Sequence, residues 1–258
     1  MRADLEARLI AVLRGEATDL AKDYACRQLA IVGSDASAAA LAALLPNPRL
    51  SYMARYALEG LGSPAAVAAL REMLGRTDGR QQVGVVISLG RLADAEAVAP
   101  IAALLATENA ELREVTLVAL GGIGTVPAAA ALQEFAGRAP AALRTVVIDA
   151  ELDALESLCR QGQLATAVAI CESLQAADSE RVRAAAFRGL IAAQPAESLT
   201  MMLAGLAAEQ PWKRAVAADC VVQLQRPEEL STITAAIPSL PTAGKVAAFL
   251  SLKDRGHL

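Results

Sequence analysis

The histidine and cysteine side chains that could carry acid–base or metal chemistry are few in this chain, and they lie far apart. The one histidine, His257, lies next to the C-terminus, so it has no partner for a catalytic triad or a His-based metal site. The cysteines Cys26, Cys159, Cys171 and Cys220 contain no Cys-x-x-Cys pair and lie in Ala- and Leu-rich segments typical of buried thiols. We therefore predict no metal site. We also predict no disulfide between Cys159 and Cys171, because the two residues would lie at different heights along the axis of the hairpin that they share.

Carboxylates cluster in one segment, at Asp149, Glu151, Asp153 and Glu156. General acid–base catalysis needs one carboxyl of a pair to be desolvated, whereas the flanking Arg144 and Arg160 favour a solvated, charged helix face. The glycines at 121, 122 and 124 follow no strand pattern, so they do not indicate a nucleotide-cofactor loop. From these absences we predict that the protein is not an enzyme and uses no cofactor.

The composition limits the fold class. Hydrophobic residues make up 55% of the 258 residues and aromatic residues only 3%, and the helix formers Ala and Leu dominate. No stretch alternates as a half-buried strand does. No apolar run reaches about 18 residues without a charge or a helix breaker, and the first residues lack the apolar core of a signal peptide, so we predict no membrane span. A net charge of −4 makes nucleic acid an unfavourable partner.

A leucine recurs about every 31 residues, four positions before a residue that we call the repeat mark. The leucines are Leu29, Leu58, Leu89, Leu120, Leu158 and Leu190, and the marks are Gly33, Gly62, Ala93, Gly124, Gly162 and Gln194. An apolar stripe on one helix face precedes each mark, and a glycine at the mark is typical of a left-handed cap that ends a helix. Capping residues or proline then begin a second helix, so each repeat is predicted to be a helical hairpin.

Such hairpins bury their apolar faces only by stacking, which predicts an all-α fold, a right-handed α-solenoid or armadillo-like superhelix of about seven repeats. One interval is longer, and it combines a helix over about 141–160 with a segment, 162–174, that is similar to half of a tetratricopeptide repeat. We place a soft boundary before this helix. A regular array with an N-terminal helix spans 1–139, and a looser, proline-punctuated array continues over 140–258.

These segments resemble HEAT repeats, in particular the short, Ala- and Gly-rich bacterial kind described with phycobilisome-lyase relatives. Residues 98–105 followed by 111–124 carry the resemblance most clearly, and it extends over nearly the whole chain. More narrowly, residues 24–29, residues 52–58 and the final Arg255-Gly256 are similar to HEAT modules of planctomycete and verrucomicrobial bacteria. The resemblance implies a repeat fold that serves as an interaction module attached to varied partner domains.

The resemblance also places the helix that ends at each mark on the concave surface and the other helix of the hairpin on the convex one. On that assignment the concave set is mildly basic and the convex set is acidic. HEAT repeats commonly pair arginines at the place of Arg113 and Arg183 with acidic residues, here Glu108 and Asp178. The remaining positive charge is smaller than a nucleic-acid interface needs.

The two ends of the array differ. Residues 3–14 are predicted to form an amphipathic helix that covers the first hairpin with the charged side chains of Arg2, Asp4, Glu6, Arg8 and Arg14, because a solenoid needs polar caps. The last helix, over about 242–253, stops before its hairpin partner, so we expect a fragment or a continuation into another repeat. We expect a monomer or a part of a longer chain, cytoplasmic as given and periplasmic if the parent protein is exported.

The predicted partner-binding residues are Arg27, Tyr52, Arg55 and Tyr56, which together with Tyr24 lie on two successive equivalent helices. Arg27 and Tyr56 both stand six residues before their marks, so they should be neighbours. Tyr and Arg dominate binding hot spots because they offer large contact areas and several donors. We therefore predict a non-enzymatic scaffold that binds a protein or peptide on the concave face.

Several alternatives stay open at this point. The tyrosines could pack between repeats instead of contacting a partner. The fold could carry an enzyme that resembles bilin lyases or alkylpurine DNA glycosylases, although a glycosylase needs a basic groove containing an aromatic residue and a catalytic acid. The array could also be a passive spacer in a larger multidomain protein. Trp212, which follows Pro211, is predicted to anchor the core of its own hairpin.

Overall fold

The computed structural model describes residues 2–254, except for the side chain at 254, and within that range it contains sixteen α-helices, four short 3₁₀ turns and no strand. His257 and Arg255-Gly256 lie outside the described residues. The chain forms two compact units, Met1–Ala154 and Leu155–Leu258. The predicted all-α fold of stacked hairpins is confirmed in each unit. Over residues 2–254, the helices are all too short or too polar to cross a bilayer.

The first unit consists of two layers of helices. Its helices are α1 (Arg2–Arg14), α2 (Asp19–Val32), α3 (Asp35–Ala42), α4 (Ser51–Leu61), α5 (Pro64–Met73), α6 (Gly79–Arg91), α7 (Val98–Ala103), α8 (Ala110–Ile123), α9 (Val126–Ala136) and the start of α10 (Arg144–Arg160). Helices α2, α4, α6 and α8 contact one another in that order, and we call them the first layer. In the second layer α3 packs on α5, and α7 packs on α9.

The repeating leucines form the centre of this unit. Leu29, Leu58, Leu89 and Leu120 are all fully buried, as their stripe predicted. Gly62 and Gly124 end their helices in the left-handed conformation, with φ of 55° and 56°. Ala93 adopts the same conformation, with φ of 51°, although it has a Cβ atom. Gly33 is instead extended, with φ of −69°, so the predicted left-handed cap is wrong at that mark.

Small residues bring neighbouring first-layer helices close together. A Cβ atom added to Gly90 in α6 would lie 2.7 Å from the Cα atom of Ala119 in α8. A Cβ atom added to Gly121 in α8 would lie 2.7 Å from the carbonyl oxygen of Ala150 in α10. These contacts leave no room for a larger residue, because the neighbouring atoms belong to helix backbones. The scarcity of aromatic residues is therefore compensated by close backbone packing.

Helix α1 covers the first hairpin with two of its charged side chains, as predicted. The carboxylate of Glu6 is buried and accepts hydrogen bonds from the backbone N–H of Ser34 at 2.7 Å and from the hydroxyl of Ser37 at 2.6 Å. These hydrogen bonds, that of Ser37 foremost, lower the pKa of Glu6 although its burial acts in the opposite direction. The Nε atom of Arg2 donates to the carbonyl oxygen of Val32, 3.0 Å away, at the end of α2.

Helix α10 belongs partly to each unit, because the division between residues 154 and 155 falls inside it. The predicted helix over 141–160 is thus a 3₁₀ turn at 141–143 followed by α10. The predicted boundary at 139/140 precedes this helix.

The second unit continues from the end of α10 with α11 (Leu164–Leu174), α12 (Glu180–Ala193), α13 (Ser198–Ala207), α14 (Pro211–Gln223), α15 (Pro227–Ala236) and α16 (Thr242–Asp254). Helices α12, α14 and α16 lie side by side, while α11 packs on α12 and α13 packs on α14. Trp212 meets the buried ring of Phe187 edge to face, with ring centroids 6.3 Å apart. This contact packs Trp212 against the core of its unit through a residue of a preceding hairpin, whereas the prediction was an anchor within its own hairpin.

The arginines of the repeats bind backbone carbonyls, so the predicted pairing of Arg113 and Arg183 with Glu108 and Asp178 side chains is wrong. Arg113 donates to the carbonyl oxygen six residues earlier. Arg183 donates to the carbonyl oxygens six and five residues earlier, at 2.7 and 2.8 Å, and Arg214 repeats this pair at 2.7 Å each. The loop before each helix leaves these carbonyls without helical partners, and the guanidinium satisfies them.

Candidate functional site

An exposed apolar stripe runs along α2. Leu20, Tyr24, Arg27 and Ile31 are spaced four, three and four residues apart, which places them on one helix face. Leu20, Tyr24 and Ile31 are 80%, 61% and 72% exposed. Arg27 is bonded along the same helix to Asp23, with 3.0 Å between Nε and Oδ2. A groove of about 700 Å³ beside the stripe is lined by Leu20, Tyr24, Arg27 and residues of α1.

Two further tyrosines extend this surface onto α4. Tyr52 and Tyr56 are one helical turn apart and are 67% and 52% exposed. Helix α4 packs directly against α2. Tyr24 and Tyr52 stand nine and ten residues before their repeat marks, and Arg27 and Tyr56 both stand six residues before theirs, so these side chains occupy corresponding faces of the two helices. The alternative that the tyrosines pack between repeats is therefore wrong, because all three rings are largely exposed to solvent.

Arg55 differs from the other predicted contact residues because its side chain is mostly buried, with only 14% exposed. Its Nη1 atom donates to the hydroxyl of Ser88 at 3.2 Å and lies 3.8 Å from the carboxylate of Glu59. A Cβ atom added to Gly84 would lie 2.5 Å from the Nε atom of Arg55. The guanidinium carbon is 5.7 Å from the ring centroid of Tyr52. The Arg55 guanidinium thus packs against the Tyr52 ring in a cation–π contact. Burial lowers the pKa of this guanidinium.

The position six residues before the repeat mark forms a row across the first layer. It is occupied by Arg27 in α2, Tyr56 in α4, Ile87 in α6 and Val118 in α8, and successive helices of this series are in contact. Arg27, Tyr56 and Val118 are exposed, and Ile87 is half-buried. We call these four side chains the transverse row. It runs across the helices and is apolar in three of its four members.

A shallow depression of about 410 Å³ lies at the α8 end of the transverse row. Ile87, Val115 and Val118 supply apolar contacts, and Glu114 and Asp153 add two carboxylates. Glycines at 90 and 122 leave this space open, because neither has a side chain to fill it. The surface of the first unit is therefore aromatic at α2 and α4, and around the depression at α8 it is apolar with charges of both signs, from Glu114, Asp153 and Arg91.

Three members of this surface, Leu20, Ile31 and Val118, were missed in the sequence. The available signal was their spacing. Leu20 and Ile31 lie at helical intervals from Tyr24 and Arg27 and outside the buried leucine stripe, and Val118 occupies the same repeat position as Tyr56.

The acidic segment of α10 was predicted to be a solvated, charged helix face, and the structure contradicts this for one of its four residues. Asp149, Asp153 and Glu156 are exposed, whereas Glu151 is buried, and burial raises the pKa of Glu151 to about 7. Glu151 stands seven residues before its repeat leucine, the position that Arg113 occupies in α8. Within residues 2–254, no three His, Cys, Asp or Glu side chains gather as ligands of a metal ion would.

The cysteines are free thiols, and Cys159 is not bonded to Cys171. Burial raises the pKa of Cys26 to about 11 and that of Cys171 to about 12. The nucleophilic form of cysteine is the thiolate, so these two buried thiols are unreactive at neutral pH.

Neither a protein-family model nor a curated protein matches the chain. Among solved structures, it is similar to human deoxyhypusine hydroxylase in complex with glycerol, with 17% identity over 87% of this chain and 97% of that chain and a TM-score of 0.43. It is also similar to the complex of CpcE and CpcF of phycocyanin lyase from Nostoc sp., with 19% identity over 83% and 93% of the two chains and a TM-score of 0.43. An engineered protein has 17% identity over 96% and 77% of the two chains and a TM-score of 0.46.

These proteins share a HEAT-like fold of repeated helices, and at such identities and TM-scores the likeness identifies no activity for this chain. The prediction that the chain is not an enzyme is nevertheless contradicted, because two of the similar structures are those of a hydroxylase and a lyase. The missing histidine pairs and cofactor loops do not exclude catalysis, since a repeat fold can carry an active site built from other residues.

Proposed function

We propose that the first unit binds a protein or peptide partner on the surface formed by the exposed faces of α2 and α4. The observation that carries this proposal is the concentration of exposed large hydrophobic side chains. Among the described residues, five of the eleven such side chains lie on these two adjacent helices, namely Leu20, Tyr24, Ile31, Tyr52 and Tyr56. A contiguous apolar patch of this kind is typical of an interaction site.

The proposed contact residues are Arg27, Tyr52 and Tyr56, with Arg55 as a positioning residue. A tyrosine ring offers a rigid contact area and a hydroxyl group, so it gains affinity with little loss of side-chain entropy. Arg55 limits the motion of the Tyr52 ring, because its guanidinium is held by Ser88 and Glu59. The short, Gly-rich repeats fit the narrower resemblance to bacterial HEAT modules that serve as interaction modules.

The test is selection of binders from a random dodecapeptide phage library on the immobilised full chain. We expect enriched peptides that bind the unmodified protein and lose at least ten-fold in affinity for Tyr52→Ala/Tyr56→Ala. The matched control is Phe249→Ala/Leu250→Ala, which removes two similarly exposed side chains from α16 in the second unit. Equal binding to all three proteins, or no enrichment at all, would overturn the proposal.

A further inference from the structure

Contacts between successive helices of the first layer recur at fixed distances from the repeat marks. Arg55 lies seven residues before its mark in α4, and its Nε atom is 2.5 Å from a Cβ atom added to Gly84, which lies nine residues before its mark in α6. Glu59, three residues before its mark, accepts a hydrogen bond at 2.6 Å from the hydroxyl of Ser88, five residues before its mark. Positions seven and three residues before a mark therefore face the following helix, and positions nine and five face the preceding one.

The same interface joins α12 to α14 in the second unit. These two helices and α16 begin at residues 180, 211 and 242, so their equivalent residues lie 31 positions apart. Phe187, seven residues before the mark Gln194, faces α14, where its ring meets Trp212 at 6.3 Å. The Nζ atom of Lys213 lies 4.9 Å from the centroid of the same ring. The first turn of α14 thus buries the aromatic ring of the helix before it.

Helix α16 presents this face without a neighbour. Phe249 lies two such intervals after Phe187, yet it is 48% exposed, whereas Phe187 is 5% exposed. Val246 and Leu250 lie on the same side of α16 and are each 54% exposed. The earlier residues at the position of Phe249 are all buried or half-buried, namely Cys26, Arg55, Val86, Leu117, Leu155, Phe187 and Ala218. The side of α16 that a following helix would cover is therefore apolar and open to solvent.

Helix α2 has the complementary open face. Tyr24 stands nine residues before its mark, on the side of a preceding helix, and it is 61% exposed. The equivalent residues of α4, α6 and α8 are buried or half-buried, namely Met53, Gly84 and Val115. Leu20 is 80% exposed and stands thirteen residues before its mark, which is the repeat position of Trp212 in α14.

The groove beside α2 has the place of a first-layer helix. Helix α1 packs on both α2 and α3, as α3 packs on α4 and α5. Helix α1 therefore lies in the second layer and leaves the first-layer place next to α2 open. The groove of about 700 Å³ at this place is lined by Leu9 and Val12 of α1 and by Leu20, Ala21 and Tyr24 of α2.

We propose that this groove binds α16 of a second copy of the chain, with Phe249 packed against Leu20 as Phe187 packs against Trp212. The argument for a second copy is that the two open faces are the two sides of one repeat interface, the following side on α16 and the preceding side on α2. Their contact removes apolar side chains of both faces from water. This inference deepens the proposed function, on which it rests, because it names the partner of the α2 part of that surface.

The proposed contact joins different surfaces of the two copies. After two copies have joined, one groove and one α16 face remain open, so further copies add until a filament or a closed ring forms. The contact therefore predicts assembly that grows with protein concentration, and complementation between variants that lack opposite faces.

The test is sedimentation velocity of the full chain at increasing micromolar concentrations. The sedimenting mass of the unmodified protein should rise above that of one chain. Leu20→Asp places a charge in the groove and Phe249→Asp places a charge on the α16 face, so each variant alone should stay monomeric. An equimolar mixture of the two variants should form a dimer and nothing larger, because it retains one intact face of each kind.

Two variants are the matched controls. Val118→Asp introduces the same charge at a residue of α8 that is 54% exposed and belongs to neither face. Tyr52→Ala/Tyr56→Ala removes the exposed tyrosines of α4. Both should assemble as the unmodified protein does. Circular dichroism of each variant confirms that it remains helical, so lost assembly is assigned to the altered face.

The outcomes separate the inference from the proposed function. An unmodified protein that stays monomeric, or a mixture of Leu20→Asp and Phe249→Asp that stays monomeric, would overturn the inference. Selected peptides that need Tyr52 and Tyr56 would then leave the binding function in place, whereas a monomer without enriched peptides would overturn both. Assembly without enriched peptides would support the inference and overturn the contact role of the two tyrosines.

Discussion

Replacing Glu151 by glutamine should remove a pH-dependent loss of stability. The side chain of Glu151 is 4% exposed. Burial raises its pKa from 4.5 to about 7, and neither a hydrogen bond nor a neighbouring charge contributes to the shift. The folded protein therefore keeps this proton to a higher pH than the unfolded chain does.

The sign of the effect follows from which state holds the proton. Well below pH 4.5 the carboxyl is protonated in both states and adds no pH dependence. Between pH 4.5 and about 7 the unfolded chain has released the proton and the folded protein has not, so the free energy of unfolding falls as the pH rises. A shift of this size corresponds to about 3 kcal/mol above the folded-state pKa, of which about 2.5 kcal/mol is lost between roughly pH 5 and pH 8.

The assay is urea unfolding, followed by far-UV circular dichroism, of the unmodified protein, Glu151→Gln and Glu156→Gln. The stability difference between Glu151→Gln and the unmodified protein should grow by about 2–3 kcal/mol from roughly pH 5 to pH 8 in favour of the variant. A cost of burying the glutamine amide is independent of pH and does not affect this comparison. Glu156 is exposed on the same helix, so its substitution should change stability by less than about 0.5 kcal/mol at either pH. A difference for Glu151→Gln that is the same at both pH values would refute the reasoning.

Three further substitutions and one control substitution test the first unit by the same unfolding assay. Gly121→Ala should lower the free energy of unfolding by about 1–3 kcal/mol, because its Cβ atom would meet helix backbone. The control Gly75→Ala should change it little, because Gly75 has open space around it. Equal effects of the two substitutions would contradict the packing argument. Ala93→Gly should stabilise by about 1 kcal/mol by relieving a left-handed alanine, and a loss of stability would count against that strain. Glu6→Ala should cost about 1–3 kcal/mol near neutral pH by leaving buried donors unpaired. Because the folded-state pKa of Glu6 is lowered, its contribution is present above pH 4.5 and is lost as the pH falls through the folded-state pKa, so a deficit that persists undiminished in acid would contradict the assignment.

The repeating hairpins could be predicted because their signal is local and is repeated. Leu58 and Leu120 occupy the same place in their repeats, and both are fully buried. The partner of Arg113 could not be predicted in this way. The loop carbonyl lies as close in the sequence as the acidic side chain of Glu108, and only the folded loop shows which acceptor is unsatisfied.

The contact residues stay a prediction, but their exposure can be compared with the sequence analysis: the three tyrosines are exposed, whereas the burial of the Arg55 side chain was not foreseen. The burial of Arg55 depends on Gly84 in the next helix, because a missing Cβ atom creates the space that the guanidinium fills. The two residues belong to different repeats, so the sequence pattern of one helix alone does not predict that the Arg55 side chain is buried. The burial of Glu151 was missed for a related reason, because its repeat position governs its environment more than the acidic residues beside it do.

The distribution of aromatic rings gives the protein two separate optical reporters. The one tryptophan of the chain, Trp212, lies in the second unit against Phe187, while all three tyrosines lie in the first unit and are exposed. Indole-selective excitation therefore follows the unfolding of Leu155–Leu258 alone. Tyrosine emission follows the surface of α2 and α4, so a ligand that quenches it without altering the tryptophan spectrum is located on the first unit with no added label.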